Sequence, residues 1–231
     1  MEIGFVRISE WNSGRTPSRE LGCVSAGPAC AKRMPIDRPA AANAIDAFLR
    51  AIGRDPAVER ELVGTGARVA DAYVDELCAG YAVDTRALLA ASAMEGGRSP
   101  GGVTGGLVVV RDIPITTMCP HHLLPASGTA TIAMQARDRL VGVGTLASLV
   151  DAHARRLTLQ ERIGEAVVAD IEAVLQPSWA GCRIVLEHGC MIARGERAIG
   201  ARVETLALAI PAGPASGDIE ARAHAALGVG R

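Results

Sequence analysis

Five histidines occur in this 231-residue chain, and three of them fall in two short strings dense in chemistry. Cys119-Pro120-His121-His122 offers a Cys-x-x-His pair at chelating spacing, with a proline to stiffen the turn. Glu187-His188-Gly189-Cys190 supplies a further His and Cys. Strand texture from Cys182 to Ile192 predicts that Cys182, Ile184, Leu186, His188 and Cys190 share one face, since alternate side chains do so on a strand. A metal held by Cys119, His122 and Cys190 would have three protein ligands and an open fourth position, the pattern of catalytic rather than structural zinc. His121 and His188 would remain beside it as proton donors or acceptors, with an unperturbed pKa of roughly 6.5 that suits neutral pH. Spacing alone leaves a second reading open. Cys182 and Cys190 could be ordinary buried core cysteines, because a step of 68 residues from His122 to Cys190 is no compact finger spacing.

Composition narrows the remaining chemistry. Lys+Arg number 24 against 25 Asp+Glu, so there is no basic excess of the kind a phosphate-neutralising nucleic-acid surface needs. Aromatic residues at 3% are too few for a platform that stacks single-stranded bases. Lys32 is the only lysine, which rules out a Gly-Lys-Ser/Thr phosphate loop and argues against a Schiff-base lysine in a folded core. An anionic substrate must therefore be held by arginine, backbone N–H groups or a metal. The six cysteines are Cys23, Cys30, Cys78, Cys119, Cys182 and Cys190. No signal-peptide pattern or membrane-length apolar run accompanies them, so a cytoplasmic protein with reduced thiols is expected.

The elements that must position these residues begin after an irregular extension, residues 1–40. An N-terminal helical segment over 41–95 follows. Ile45, Phe48, Leu49 and Ile52 keep helical spacing up to Gly53, a second helix is expected from about Gly66 to Cys78, and Asp84 is placed to cap a third through Leu88 and Leu89. Gly96 to Gly106 reads as a flexible linker. Over 107–210 the expected order is β-β-α-α-β-β. The strands cover Leu107 to Cys119, Thr129 to Met134, Cys182 to Ile192 and Val203 to Ile210, and the helices bury Leu146, Leu149, Val150 and His153, then Ile163, Val167, Ile171 and Val174. Paired strands argue for an α+β antiparallel sheet with helices on one face. Such a sheet has two open edges, which assembly of several copies would close. Residues 211–231 read as a small polar tail.

The motifs resemble the GTP cyclohydrolase I family. Met118-Cys-Pro-His-His-Leu-Leu-Pro125 resembles its Cys-Glu-His-His signature, Glu187-His-Gly-Cys-Met-Ile-Ala-Arg-Gly195 its second His-x-Cys segment, and Arg156-Leu-Thr-Leu-Gln-Glu-Arg162 its Arg-x-x-x-Gln-Glu-Arg helix start. Ala51 to Pro56 and Gly64 to Tyr73 match more loosely, and the resemblance runs colinearly over residues 41–210. It implies a tunnelling fold that closes into barrels through assembly, as a toroidal homo-oligomer, commonly a decamer, with active sites at subunit interfaces. It implies a small-molecule purine nucleotide as substrate, with no nucleic-acid or membrane partner. It further implies that Cys119, His122 and Cys190 bind Zn2+, that His121 and His188 are the acid–base pair, that Glu161 with help from Gln160 recognises the guanine edge, and that Arg68 and Arg194 meet phosphates. Read without the resemblance, Thr158-x-x-Glu161 is a capping box for the second long helix, and His153 is a core or interface histidine.

Three segments depart from the family pattern: Pro120 stands for the acidic residue of the signature, Thr65-Gly-Ala-Arg68 for a Thr-Pro-Lys-Arg type segment, and the third lies before the first long helix. Where the family has Gly-Leu-Ser-Lys-Leu-x-Arg, this chain has Gly142-Val-Gly-Thr-Leu-Ala-Ser148, so Gly144, Thr145 and Ser148 replace the serine, lysine and arginine that help bind the triphosphate. Arg137, Arg139 and Arg155 are candidate substitutes. Three readings follow: zinc-dependent opening of the guanine ring of GTP at C8, with formate release and closure to dihydroneopterin triphosphate; the same ring opening on a substrate with fewer phosphates, or stopping at a formamidopyrimidine; and a non-catalytic zinc-stabilised assembly module, which the paired histidines disfavour.

Overall fold

The computed structural model describes residues 5–7, 35–95 and 106–229. Lys32, Cys23, Cys30, most of the 1–40 extension and the linker glycines up to 105 lie outside the described residues. The chain divides into two units, Asn12–Glu76 and Met1–Trp11 with Leu77–Arg231.

The smaller unit is helical. Helix α1 (Arg38–Ala51) starts where the Asp37 carboxylate accepts the Ala40 N–H and Pro39 occupies the first turn, and the chain turns out of it at Gly53, whose φ is 83°. Helix α2 (Thr65–Asp71) runs on as a wider π-helical turn, Ala72–Leu77. A Cβ on Gly66 would lie 2.4 Å from the Ala42 carbonyl oxygen, so only glycine lets α2 approach α1 this closely. Arg38 bridges Asp71 and Asp75 across the same pair of elements.

The larger unit follows the expected order. Strands β3 (Leu107–Met118) and β4 (Pro125–Gln135) form a hairpin, helices α4 (Val143–Ala154) and α5 (Gln160–Leu175) follow, and β6 (Trp179–His188) and β7 (Val203–Ala209) complete an antiparallel sheet. Both long helices pack on one face. Leu146, Leu149, Val150, Ile163, Val167 and Ile171 all lie in the core against Ile132, Met134, Cys182 and Ile184. His153 is buried among them, as its place on the apolar face predicts, while Val174 is only half-buried.

Four features go beyond the sequence expectation. Strand β1 (Phe5–Arg7) adds parallel to β7, so the sheet has five strands in the order β1-β7-β6-β4-β3, with the short β1 at one edge and the long β3 at the other. Strands β2 (Ala93–Glu95) and β5 (Arg139–Val141) form a small separate ladder. Strand β6 stops at His188, and Gly189–Ile192 is one helical turn, α6. The segment read as a tail contains helix α7 (Ser216–Leu227), whose Ala223, Ala226 and Leu227 cover the other face of the sheet at Ala133, Trp179 and Leu206. Alanines make most of that apolar face, which is why its periodicity is faint in the sequence.

A buried polar cluster ties α4 and α5 to helix α3 (Thr85–Ser92), which Asp84 caps through the Ala87 N–H as expected. The Asp170 carboxylate accepts from Thr85 Oγ1 at 2.6 Å and Arg86 Nε at 2.9 Å, and lies 2.8 Å from His153 Nε2. Burial alone would raise its pKa; the hydrogen bonds from His153, Thr85 and Arg86 outweigh that and hold it at about 2. A carboxylate depressed in the folded state stabilises the fold above its unfolded pKa and loses that contribution as pH falls through the folded one. Asp170→Asn should therefore cost about 2 kcal/mol at pH 7, and the gap to the parent protein should narrow between about pH 4 and pH 2, as read by denaturant melts across that range.

Candidate metal centre and active site

Strand directions bring three segments to one end of the larger unit. β3 runs towards this end and β4 away from it, so their connecting loop, Cys119 to Leu124, stands at the rim. The loop is closed by Cys119 N–H to Leu124 O at 3.0 Å and Leu123 N–H to Cys119 O at 2.9 Å, with Leu123 in the left-handed region at φ 52°. β6 runs towards the same end, and its register places His188 opposite Ala126. The α4–α5 connection arrives there too: Met118 bridges Leu157, and the Thr158 N–H donates to Met118 O at 3.2 Å.

Cys119, His122 and Cys190 each present a ligand atom within 4.8 Å of the others. Cys190 reaches the group from the α6 turn rather than from a continuing strand, so the shared-face argument for Cys190 is corrected: β6 ends at His188 and the helical turn carries the thiol round. Gly189 permits this, since a Cβ there would sit 2.7 Å from the Pro125 carbonyl oxygen. The Cys119 Sγ to His122 Nδ1 separation is 3.6 Å. Sulfur and nitrogen held by one zinc ion at ordinary bond lengths are about 3.6 Å apart across a tetrahedral edge. Burial, followed by the nearby Cys119, raises the pKa of the Cys190 thiol, with Arg194 pulling the other way. Two thiols this close resist ionising together unless a cation lies between them, so the donor set fits a thiophilic divalent metal. Cys182, by contrast, is fully buried and pushed up to about 12 by burial, an inert core thiol. The four described cysteines are all free.

Both further histidines stand at the same rim. The exposed His121 packs edge-to-face on His122, with 6.2 Å between ring centroids. His188 is half-buried, and its pKa is lowered by burial, a trend partly opposed by the charge of Glu161. Glu161 is exposed on the first turn of α5. The N-cap residue of that helix is Leu159, with no side-chain cap, so the Thr158–Glu161 capping box does not form and the carboxylate is left unused by the fold. Gln160 behaves differently from the expectation that it helps read guanine. It is 2% exposed, and its amide is spent on the Ile184 and Val203 carbonyls, Thr205 Oγ1 and His188 Nε2.

The arginines divide. Arg194 is exposed, at the end of the α6 turn, close enough to Cys190 to bias its thiol. Arg68 belongs to the helical unit, where its guanidinium donates to Val63 O and Thr65 Oγ1. Arg137 and Arg139 bond to Ser178 Oγ and Val174 O, at the opposite end of the strands. Eleven residues of β4 separate the two ends, about 35 Å of strand, so neither reaches the Cys119 loop of its own chain. Arg155 pairs with Asp151 one turn back. Sequence reasoning missed Gly189 and Tyr81. The Tyr81 hydroxyl bonds to both the N–H and the carbonyl of Leu157, holding the α4–α5 connection against the turn Ala79–Ala82.

Residues 41–222 match the family model described as GTP cyclohydrolase I. The GTP cyclohydrolase 1 of Leptospira biflexa serovar Patoc is 38% identical over 153 residues, 66% of this chain and 79% of that protein. That of Allorhizobium ampelinum is 37% identical over 168 residues, covering 73% of this chain and 80% of the relative. The Leifsonia xyli subsp. xyli protein of the same name is 36% identical over 177 residues, with 74% and 86% covered.

Because the α6 turn approaches β4 only through a residue without a Cβ, Gly189→Ala should displace Cys190. Zinc affinity is expected to fall about ten-fold or more with only a modest change in melting temperature, as read by competition with a chromogenic chelator.

Proposed function

The chain belongs to the GTP cyclohydrolase I family of enzymes, and from that premise we propose that it opens the imidazole ring of a guanine nucleotide by zinc-dependent hydrolysis at C8, with release of formate. The observation that carries this reading is the convergence of Cys119, His122 and Cys190 with two histidines that the ligand set does not use.

Cys119, His122 and Cys190 would hold the metal, and a zinc ion there would supply Lewis-acid activation of the water that attacks C8. His121 and His188 are the acid–base pair: one accepts the proton that water gives up, and the other delivers a proton to the imidazole nitrogen as its bond to C8 breaks. A second hydrolysis of the resulting formamide releases formate. Glu161, exposed and uncapped, accepts the N–H donors of the guanine edge. Arg194 meets the phosphates, a role the family resemblance also assigns to Arg68. Completion of the family reaction then requires ribose rearrangement and closure to dihydroneopterin triphosphate.

The assembly that fits this reading is a homo-oligomer, commonly a decamer in the family, with active sites between subunits. Phe48, Ile52, Val58 and Val63 expose large apolar side chains in the helical unit, and β3 leaves a twelve-residue edge, both of which association would cover. Free thiols at all four described cysteines and the absence of a membrane-length apolar helix among the described residues agree with the expected cytoplasmic setting.

A second reading is favoured by the start of α4. Val143 to Ser148 carries no charged side chain, Gly144 and Ser148 are exposed, and the Thr145 hydroxyl donates to Ser92 Oγ at 2.8 Å. A charge-assisted bond to an anion contributes about 1.5–3 kcal/mol, so the two cations absent here correspond to about 10²–10⁴ in triphosphate affinity. On this reading the same ring opening acts on a substrate with fewer phosphates, or ends at a formamidopyrimidine.

Zinc-loaded protein incubated with GTP, GMP, guanosine and guanine, with assays for formate, oxidised fluorescent pterin and formamidopyrimidine, separates the two. Pterin triphosphate from GTP is the outcome of the first reading; formate or formamidopyrimidine without pterin, or preference for GMP, is that of the second; neither formate nor formamidopyrimidine from any purine sinks both. His121→Ala should abolish turnover while zinc stays near one per subunit, and loss of zinc would show that His121 is a ligand instead.

A further inference from the structure

We propose that Gln160 is a positioning residue that fixes the ring orientation and the tautomer of His188: Nε2 carries its hydrogen against the Gln160 side chain, and Nδ1 is the nitrogen left outside that contact. This rests on the reading of His188 as an acid–base group.

The polarity of the contact follows from what surrounds Gln160. Its amide nitrogen lies 3.0 Å from Ile184 O on β6, 3.0 Å from Val203 O on β7 and 3.2 Å from Thr205 Oγ1. Two of these three partners are backbone carbonyls, which can only accept. Turned the other way, the amide would set its own oxygen against two carbonyl oxygens in a buried place, depriving both of this donor. The backbone of β6 and β7 therefore dictates the amide orientation, and Oε1 is the atom that faces His188 Nε2 at 2.8 Å. An amide oxygen only accepts, so Nε2 carries hydrogen whenever this contact is made. The other ring nitrogen, Nδ1, takes no part in this contact.

The arrangement also explains the neighbouring residues. Consecutive positions on a helix point about 100° apart, so with Gln160 turned into the sheet Glu161 is turned out. The first residue of α5 orients the histidine and the second is free for substrate. A base held by a third, buried group is the general logic of an oriented acid–base pair.

The experiment uses full-length, zinc-loaded protein. Gln160→Leu, close in size but without the acceptor, should lower kcat about 100-fold or more with KM for GTP within about three-fold of the parent value. The ratio of kcat/KM for GTP to that for inosine triphosphate, which lacks the 2-amino group, should not move. A rise in KM together with a changed GTP-to-inosine-triphosphate ratio would mean the side chain reads the base, and the proposal falls. Neutron diffraction on deuterated crystals of the parent protein reads the proton directly, and it decides the matter if Gln160→Leu loses zinc or fails to fold. A deuteron on Nε2 directed at Gln160 Oε1 is expected; a bare Nε2 overturns the assignment. A parent protein that turns over no purine would sink the functional reading, while the neutron result would still stand or fall by itself.

Discussion

Ala126 lies opposite His188 in the β4–β6 ladder, and the rim chemistry depends on that register. The side-chain period of a strand is two residues, so a slip of β6 by one would turn Cys182 and Ile184 out of the core together with the residue that ends the strand. Ten consecutive pairs from Ala126–His188 to Gln135–Trp179 hold it in place. Their apolar members pack under α4 and α5, so the core and the site are specified by one set of contacts. The close pass of Gly189 over the Pro125 carbonyl completes the link from ladder to metal ligands.

The second constraint is the way the α4–α5 connection is tied down. Met118, the last residue of β3, bridges Leu157, and Tyr81 grips Leu157 from the other side. Gly80 donates its N–H to Arg155 O, and any Cβ there would lie 2.1 Å from Ala152 O. The start of α5 is thus fixed by tertiary bonds rather than by a cap. Helix starts usually employ a local side chain to satisfy the first N–H groups. Here the acidic residue of the first turn remains exposed, at the positive end of the helix dipole, where a carboxylate is favoured without being consumed.

Much of this was legible in the residues, and the exceptions have physical causes. Apolar periodicity located α4, α5 and the antiparallel strands because each buries one continuous face. It missed α7, whose buried face is largely alanine, and β1, three residues whose place in the sheet depends on pairing with β7 alone. The ligand trio was legible from residue type, and its geometry was not: strand texture from Cys182 to Ile192 hides a helical turn after His188, since Cys190, Met191 and Ile192 suit a helix as well as a strand. Gln160 was placed with Glu161 because the two are adjacent in a motif. Only the opposed burial of neighbours on a helix separates one that faces two carbonyls from one that faces solvent.

The direction of the chain also bears on the missing cations. Helix α4 begins at the end of the larger unit remote from Cys119 and runs back towards it, so Thr145 and Ala154 are about 14 Å apart along the helix. Residues at the start of α4 do not face the metal ligands of their own chain; they serve a site only where another copy brings that end against this rim. In the assembly proposed above, the loss of charge at Thr145 and Ser148 falls at an interface between copies. A chain with one lysine among 24 basic residues has shifted almost wholly to arginine, and such a shift alone would leave arginine at these two positions. Threonine and serine stand there instead, so on the proposed function the change removes charge from the surface that would face a substrate's phosphates, while the candidate metal ligands and both histidines of the rim are present.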